Sequence, residues 1–397
     1  MGDDALDRDA RIKLSIGTKE QGNADGQLDL PAGLVFDHHR GLLLVTDCWN
    51  HRVQVFSCDD DGSFVSKFGE QGDQPGQLVT PGGLAIDHDH DRILIADSGN
   101  HRVQSWSLSE QAPLSCVGHR GSGDLEFNTP VGMAIDKHHR IVITDTCNNR
   151  LVFLSSIDLS LLFSIGKHGS QPGEFDWPMG IAIDDDRHRI IVCDTYNHRV
   201  QVLSLIDGSF LFEFGSQGDQ PGQFRNPHGV CIDNQDRIII TDRYNHRLQS
   251  FTHEGHHISS FDCGSEEPSA VAFDEHRGLI AFTAGNRVHV IGANQWLADT
   301  TFVWRPDRHR YAASWMKRTV STMTMIRSLV DESSAMSMIP NELLFEIFSY
   351  LEAPTVEIPV DKYQLQQHQR QPDAPTSTAT SRPCYPPKMR VKKCAMM

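Results

Sequence analysis

Five segments of this 397-residue chain place an Asp, an Asn and an Arg at one fixed spacing. They are Asp47-Cys-Trp-Asn50-His51-Arg52, Asp97-Ser-Gly-Asn100-His101-Arg102, Asp145-Thr-Cys-Asn148-Asn149-Arg150, Asp194-Thr-Tyr-Asn197-His198-Arg199 and Asp242-Arg-Tyr-Asn245-His246-Arg247. A carboxylate, an imidazole and a guanidinium side by side are groups that run acid–base chemistry. A catalytic site is used once, however, and this group recurs, with a worn sixth copy at Ala284-Gly285-Asn286-Arg287. Repetition assigns it structural work. Asp and Asn at hairpin ends bond backbone N–H groups and tolerate left-handed geometry, and the Arg pairs with a carboxylate where repeats meet. No catalytic residue is expected.

A second set of chemistry-bearing residues is the run of His and Asp in short turns: His38-His39, His88-Asp89-His90, Lys137-His138-His139 and Asp184-Asp185-Asp186-Arg187-His188. Adjacent His can hold a metal, but a closed site needs three or four ligands converging on one point. These turns fall in separate repeats, so solvated turn residues are expected, with no metal and no cofactor. The nine cysteines are scattered, odd in number and without a CxxC pair, which excludes a zinc or dithiol motif. Cys48, Cys147, Cys193, Cys231 and Cys263 lie in or beside expected strands and read as small buried residues.

The elements that must position these groups follow from the repeat itself. The repeated arginines are 50, 48, 49, 48 and 40 residues apart. Each unit reads as four strands: a short apolar one (Leu84–Asp87), a β-branched one (Ile93–Asp97), an alternating one after the Ser-Gly-Asn hairpin (His101–Trp106), and an outer one like Ser63–Phe68. Gly-rich crossings join the units, as in Gly69–Gly76, and Pro81-Gly82-Gly83 reopens the next. Four short strands per unit of 40–50 residues make propeller blades. Arg11–Gly17 is an outer strand with no inner strands before it, and the last unit (Ala270–Asp274, Leu279–Thr283, Arg287–Ile291) lacks one. The N-terminal strand is therefore expected to complete the sixth blade and remove the open edges. The fold class is all-β: a six-bladed propeller over residues 11–292, then a short helical region over 300–352 and a disordered tail over 353–397.

On its fourfold Asn-His-Arg, at 50–52, 100–102, 197–199 and 245–247, the chain resembles the NHL-repeat family, named for Asn-His-Leu. The resemblance implies the propeller fold and says little of function. The paired positions Asp47 and Arg52, Asp97 and Arg102, Asp145 and Arg150, Asp194 and Arg199, and Asp242 and Arg247 are its structural frame. Variable residues inside that frame are the candidates for contact. Trp49, Tyr196 and Tyr244 precede the repeated Asn, Met179 and His228 follow an inner Pro, Trp177 and Arg225 lie in crossings, and Arg243 sits in a hairpin. Hairpins and crossings open on one face. Aromatics with Arg are what protein-binding hot spots are made of; the alternative is packing between blades. Some relatives of the fold bind single-stranded RNA, and the same aromatics could stack bases. Phosphate needs a positive surface, yet residues 1–290 hold 23 Lys and Arg against 42 Asp and Glu, net −19, with only five lysines. Nucleic acid is thus disfavoured, and a metal-dependent lyase, another activity of related folds, more so.

Residues 291–397 differ: 13 basic against 10 acidic residues, net +3. Ser314–Glu332 reads as a helix, with Met316, Val320, Met323 and Ile326 at helical spacing. In Ile339–Leu351, Pro340 suits a first helical turn, and Leu343, Leu344, Ile347, Phe348 and Leu351 form one apolar stripe. The Pro-x-Glu-Leu-Leu opening and Tyr-Leu close resemble the first helix of an F-box, and the helix pair resembles a SOCS box. Both resemblances imply docking to an adaptor of a cullin-type ubiquitin ligase; the later F-box helices are missing. The alternative is a helix that packs within the chain. Residues 352–387, rich in Pro, Gln, Ser and Thr, read as a linker. Cys394-Ala-Met-Met397 fits a C-a-a-X prenylation pattern with Lys388, Arg390, Lys392 and Lys393 upstream, a lipid-plus-basic design for membrane anchoring. The acidic N-terminus, without a signal-peptide build, adds the expectation of an intracellular, cytoplasmic protein, at a membrane face where the tail is lipidated. The function expected is a non-catalytic, protein-binding substrate-recognition or adaptor subunit in ubiquitin-dependent degradation. The alternatives are an RNA binder, a simple scaffold or a lyase.

Overall fold

The computed structural model describes residues 12–58 and 61–293, together with Trp296. The helices expected over 300–352, with Pro340, Leu343, Leu344, Ile347, Phe348 and Leu351, lie outside the described residues. So do the linker and Cys394.

Six four-stranded antiparallel sheets form the propeller. The first blade runs from its inner strand outward as Pro31–Asp37, Leu42–Asp47, Arg52–Ser57 and Phe64–Phe68. Blades two to five repeat this order, with inner strands Leu84–Asp87, Pro130–Ile135, Pro178–Asp184 and Pro227–Ile232 and outer strands Pro113–Val117, Leu161–Ile165, Phe210–Phe214 and His257–Asp262. Blade six has Pro268–Asp274, Leu279–Ala284 and Arg287–Gly292, and its outer strand is Ile12–Gly17 from the start of the propeller. Ser15 pairs with His289 and Gly17 with Arg287; the Ser15 hydroxyl also lies 2.8 Å from His289 Nδ1. Closure by the N-terminal strand is as the sequence predicts.

The second strands are buried on both faces because blades stack face to face. Leu43–Val45, Ile93–Ala96, Ile141–Ile143, Ile190–Cys193 and Ile238–Ile240 are all sealed from solvent, which explains their continuous apolar runs. The crossings into blades one to five each drop one large side chain into the junction between blades: Leu28, Leu78, Phe127, Phe175 and Phe224, all fully buried.

At the axis, blades one to five carry a glycine two residues after the inner proline, and blade six has Ala270 there. A Cβ on Gly33, Gly83, Gly132, Gly180 or Gly229 would come within 2.0–2.6 Å of a carbonyl oxygen of the next blade. Only glycine allows blades to meet that closely. Threonines of the second strand clasp the same contact. Thr46 Oγ1 accepts from Gly33 N at 2.7 Å and donates to Gly82 O at 2.7 Å. Thr144 bridges Gly132 N and Met179 O, and Thr241 bridges Gly229 N and Ser269 O. The ladder register shifts at this point in the inner strands of blades one, three, four, five and six, between Pro31 and Leu34 in the first. In blades three, four and six a carbonyl of this segment accepts from the preceding blade: Val131 O from Gly83 N, Met179 O from Thr144 and Ser269 O from Thr241.

Candidate functional site

The repeated group is a buried network joining each hairpin to the crossing that precedes its blade. In blade four, the fully buried Asp194 accepts from Arg199 Nε (2.8 Å), Asn197 Nδ2 (2.9 Å), Gln201 Nε2 (3.0 Å) and the backbone N–H of Asp176 (2.7 Å). Arg199 also donates to Gln171 O and Glu174 O of the crossing. Asp47–Arg52, Asp97–Arg102, Asp145–Arg150 and Asp242–Arg247 repeat the pair at 2.7–2.8 Å. Their carboxylates are sealed from solvent, with their acceptor positions taken by neighbouring donors.

The hairpin is a single 3-10 turn, Thr195–Asn197 in blade four, ended by a residue in the left-handed region. His51, His101, Asn149, His198 and His246 all stand there at φ 53–56°. The side chain at this position reaches the following blade. His51 Nδ1 accepts from Thr80 N, His101 from Thr129 N, His198 from Asn226 N, and Asn149 Oδ1 from Trp177 N, at 2.9–3.2 Å. Acceptance at Nδ1 requires the neutral ring with its proton on Nε2. Burial, then Arg120 for His101 and Arg225 for His198, holds both imidazoles below their ordinary range. The sequence pattern alone does not reveal this role, because each partner is 28 or 29 residues away.

Hairpins and crossings do share one face: the backbone N–H groups of Trp49, Tyr196 and Tyr244 donate to the crossing carbonyls of Asp29, Asp176 and Arg225. There the structure assembles part of the predicted set. Trp177 and Tyr196 stack at 5.1 Å between ring centroids with 19° between planes. In the adjoining blade five, the Arg243 guanidinium lies 5.5 Å from the Tyr244 ring centroid and its Nε donates to Glu267 at 3.0 Å. Tyr196 and Tyr244 are each 40% exposed, too open for aromatics that only fill a blade junction. Arg225 is exposed beside Tyr244, while Trp177 and Met179 are half-buried. Trp49 is the most exposed at 61%, but it belongs to blade one, across the ring from blade four, and does not join the patch. His228 lines the axial cavity instead, its Nδ1 3.1 Å from Ser269 Oγ. Burial, with Arg243 second, pushes its imidazole down to about 3.

That axial cavity is lined mainly by glycines and apolar residues of the six inner strands and holds about 80 Å³. Small-molecule sites run to roughly 300–1,000 Å³. This cavity is smaller than that, and among its lining residues His228 is the one titratable group.

On the opposite face the His-rich turns do not stand apart, as their separation in sequence suggested. His38 and His39 of blade one, His88 of blade two and His276 of blade six crowd together, with ring centroids 4.1–4.7 Å apart. His90 and His139 form a second pair at 4.4 Å. Ring closure makes neighbours of turns that the chain separates. The cysteines read as buried fillers are so in four cases, Cys147, Cys193, Cys231 and Cys263. Cys48 is half-buried, and burial pushes its thiol up to about 12.

The comparisons with known proteins agree on architecture. The NHL repeat matches residues 28–56, 78–105, 127–152, 175–203 and 224–251, which are blades one to five. No curated protein matches the chain. Among solved structures, a gluconolactonase from Xanthomonas campestris is 17% identical with a TM-score of 0.54, over 68% of this chain and 87% of that one. A protein of unknown function from Bacteroides thetaiotaomicron is 18% identical with a TM-score of 0.53, over 70% and 73%. Identities this low speak for the fold alone.

Proposed function

From the premise that residues 12–292 are a six-bladed NHL-repeat β-propeller, we propose a non-catalytic recognition protein that grips a protein ligand on the hairpin face of blades four and five. The observation that carries this reading is the Trp177–Tyr196 stack beside Tyr244 and Arg243. A half-exposed stack of large, stiff side chains gives contact area at little entropic cost, and an adjoining Arg supplies directed polar contacts. The small axial cavity and the saturated Asp–Arg networks argue against catalysis by these groups. As the finer reading, the protein is a substrate-recognition or adaptor subunit for ubiquitin-dependent degradation, with the 339–351 segment docking a cullin adaptor and Cys394 tethering it to a membrane.

The test is affinity purification of the full chain and of Tyr196→Ala/Tyr244→Ala, Leu344→Asp and Cys394→Ser forms, with mass spectrometry of partners and of the C-terminal peptide. The aromatic variant is expected to lose the propeller ligand while keeping its unfolding midpoint. Leu344→Asp should lose cullin components, and Cys394→Ser the lipid. A ligand kept at full strength by the aromatic double variant overturns the face assignment. The stacked aromatics and Arg225 also suit unstacked RNA bases; affinity for a single-stranded RNA that collapses with salt would decide for that reading instead.

A further inference from the structure

Among the described residues, imidazoles and carboxylates that could hold a metal ion gather on the face opposite the aromatic patch. One ligand atom each from His38, His39 and His88 lies within 4.8 Å of the other two. We propose that these three side chains form a binding site for a borderline divalent transition ion, Zn²⁺ above all, with its fourth position open.

Three imidazoles plus water is an established donor set for zinc, with Zn–N bonds of about 2.0–2.1 Å that place tetrahedral nitrogens about 3.4 Å apart. Side-chain rotation is the movement that would close the remaining gap: His39 is exposed and all three rings sit in turns. The surroundings supply what such a site needs beyond its ligands. Asp37 is buried directly behind, and its Oδ1 lies 4.0 Å from His88 Nδ1. That is too long for a hydrogen bond, but a small rotation of the His88 ring would bring the carboxylate into the supporting position it takes behind a metal-bound His, with Nε2 turned to the ion. The nearby cation, Arg40, is held by Asp37 and Asp91.

A second trio, His38, Glu275 and His276, shares His38, so it competes for the same ion. We place the ion with His38, His39 and His88, where two ligands are half-buried and Asp37 supports one. The ion would then bind blade one to blade two, one blade from the seam where the ring closes. Imidazole-rich donors favour zinc over hard cations such as Ca²⁺, which prefer oxygen.

The experiment is calorimetric titration of the chelator-treated full chain with Zn²⁺ and, separately, with Ca²⁺. Wild-type protein is compared with His38→Ala/His88→Ala and with His90→Ala/His139→Ala, a control that removes two members of the separate Asp87, His90 and His139 group. The first double variant is expected to bind one Zn²⁺ fewer per chain, and the control to keep it. Zn²⁺ at a hundredfold excess over its Kd should raise the Tm of wild-type protein by about 5 °C. Exposed His39→Asn, which leaves the fold undisturbed, should weaken Zn²⁺ at least tenfold. Equal zinc stoichiometry in wild type and His38→Ala/His88→Ala, or undiminished affinity in His39→Asn, overturns the site.

Discussion

Arg199 reaches four acceptors at once: Asp194, Glu213 and two crossing carbonyls. A planar fork does this and a lysine cannot, which is why the repeat keeps Arg. Removing the Asp194 carboxylate leaves the buried guanidinium with only the half-exposed Glu213 as counter-charge and takes the acceptor from Asn197, Gln201 and the Asp176 N–H, so Asp194→Ala should cost about 3–5 kcal/mol. Arg199→Lys should cost roughly 1–3 kcal/mol. Urea unfolding midpoints check both, and a fall of similar size for exposed Asp207→Ala would contradict the assignment. The pairing was legible in the sequence because it repeats. The histidine between was not, although Asn149 in its place in blade three hinted that an acceptor is what matters. Here the pH dependence has a defined sign. The native imidazoles of His101, His198 and His228 are held low, so below about pH 6.5 the unfolded chain binds more protons. Stability from these groups is full above that value and falls as the solution is acidified. Tm should drop between pH 7.5 and 5.5, and His101→Asn/His198→Asn, which keeps an acceptor at each hairpin, should flatten the drop. An unchanged slope would show that other groups dominate.

Among the elements, the inner strand carries the sharpest steric demand. A methyl group on Gly132 would stand 2.0 Å from Met179 O, and backbone held on both sides cannot yield. Gly132→Ala should therefore destabilise by about 3 kcal/mol, at the upper end for overpacking. Gly278→Ala meets nothing within 4 Å and has only its φ of +62° against it, at about 1–2 kcal/mol. Thermal melts that rank the two in reverse would remove the close-approach argument. Strand order and number were readable from alternation and turn residues. The close contact was not, because it depends on a carbonyl nearly fifty residues away. Unit length also carried a message. The shortest arginine spacing reflects a shortened crossing into blade six, which leaves a cavity of about 380 Å³ lined by Lys19, Glu266, Arg287 and His289. Blade six lacks the repeat's aspartate, having Ala284 there, and Glu266 from the crossing takes its place against Arg287 and His289. That substitution fits the family match, which covers the first five blades.

At the scale of the molecule, closure was legible because an orphan outer strand and an incomplete last blade can be paired on paper. What the ring brings together laterally was not. The aromatics of blades four and five become neighbours, Trp49 is sent to the far side, and the histidines of blades six, one and two converge. Sequence distance is a poor guide where six similar units bend back on themselves. Deleting residues 1–18 should leave His289 and the Arg287–Gly292 strand as an open edge, which invites pairing with other chains. Light scattering should show self-association of that form and none of the full chain. A monomer with an unchanged melt would mean that the strand is dispensable.

The bond between Ser15 and His289 spans 274 positions, and that distance has a consequence in time. During synthesis the first strand emerges long before its partner exists, so it must wait while five blades assemble. Contacts this remote form late and slow the overall folding rate, and domains of this size pass through partly built species. For this chain the waiting species is a crescent of finished blades with one unpaired strand at each horn. Its lifetime, more than the depth of the native well, sets how often nascent chains join one another instead of closing on themselves.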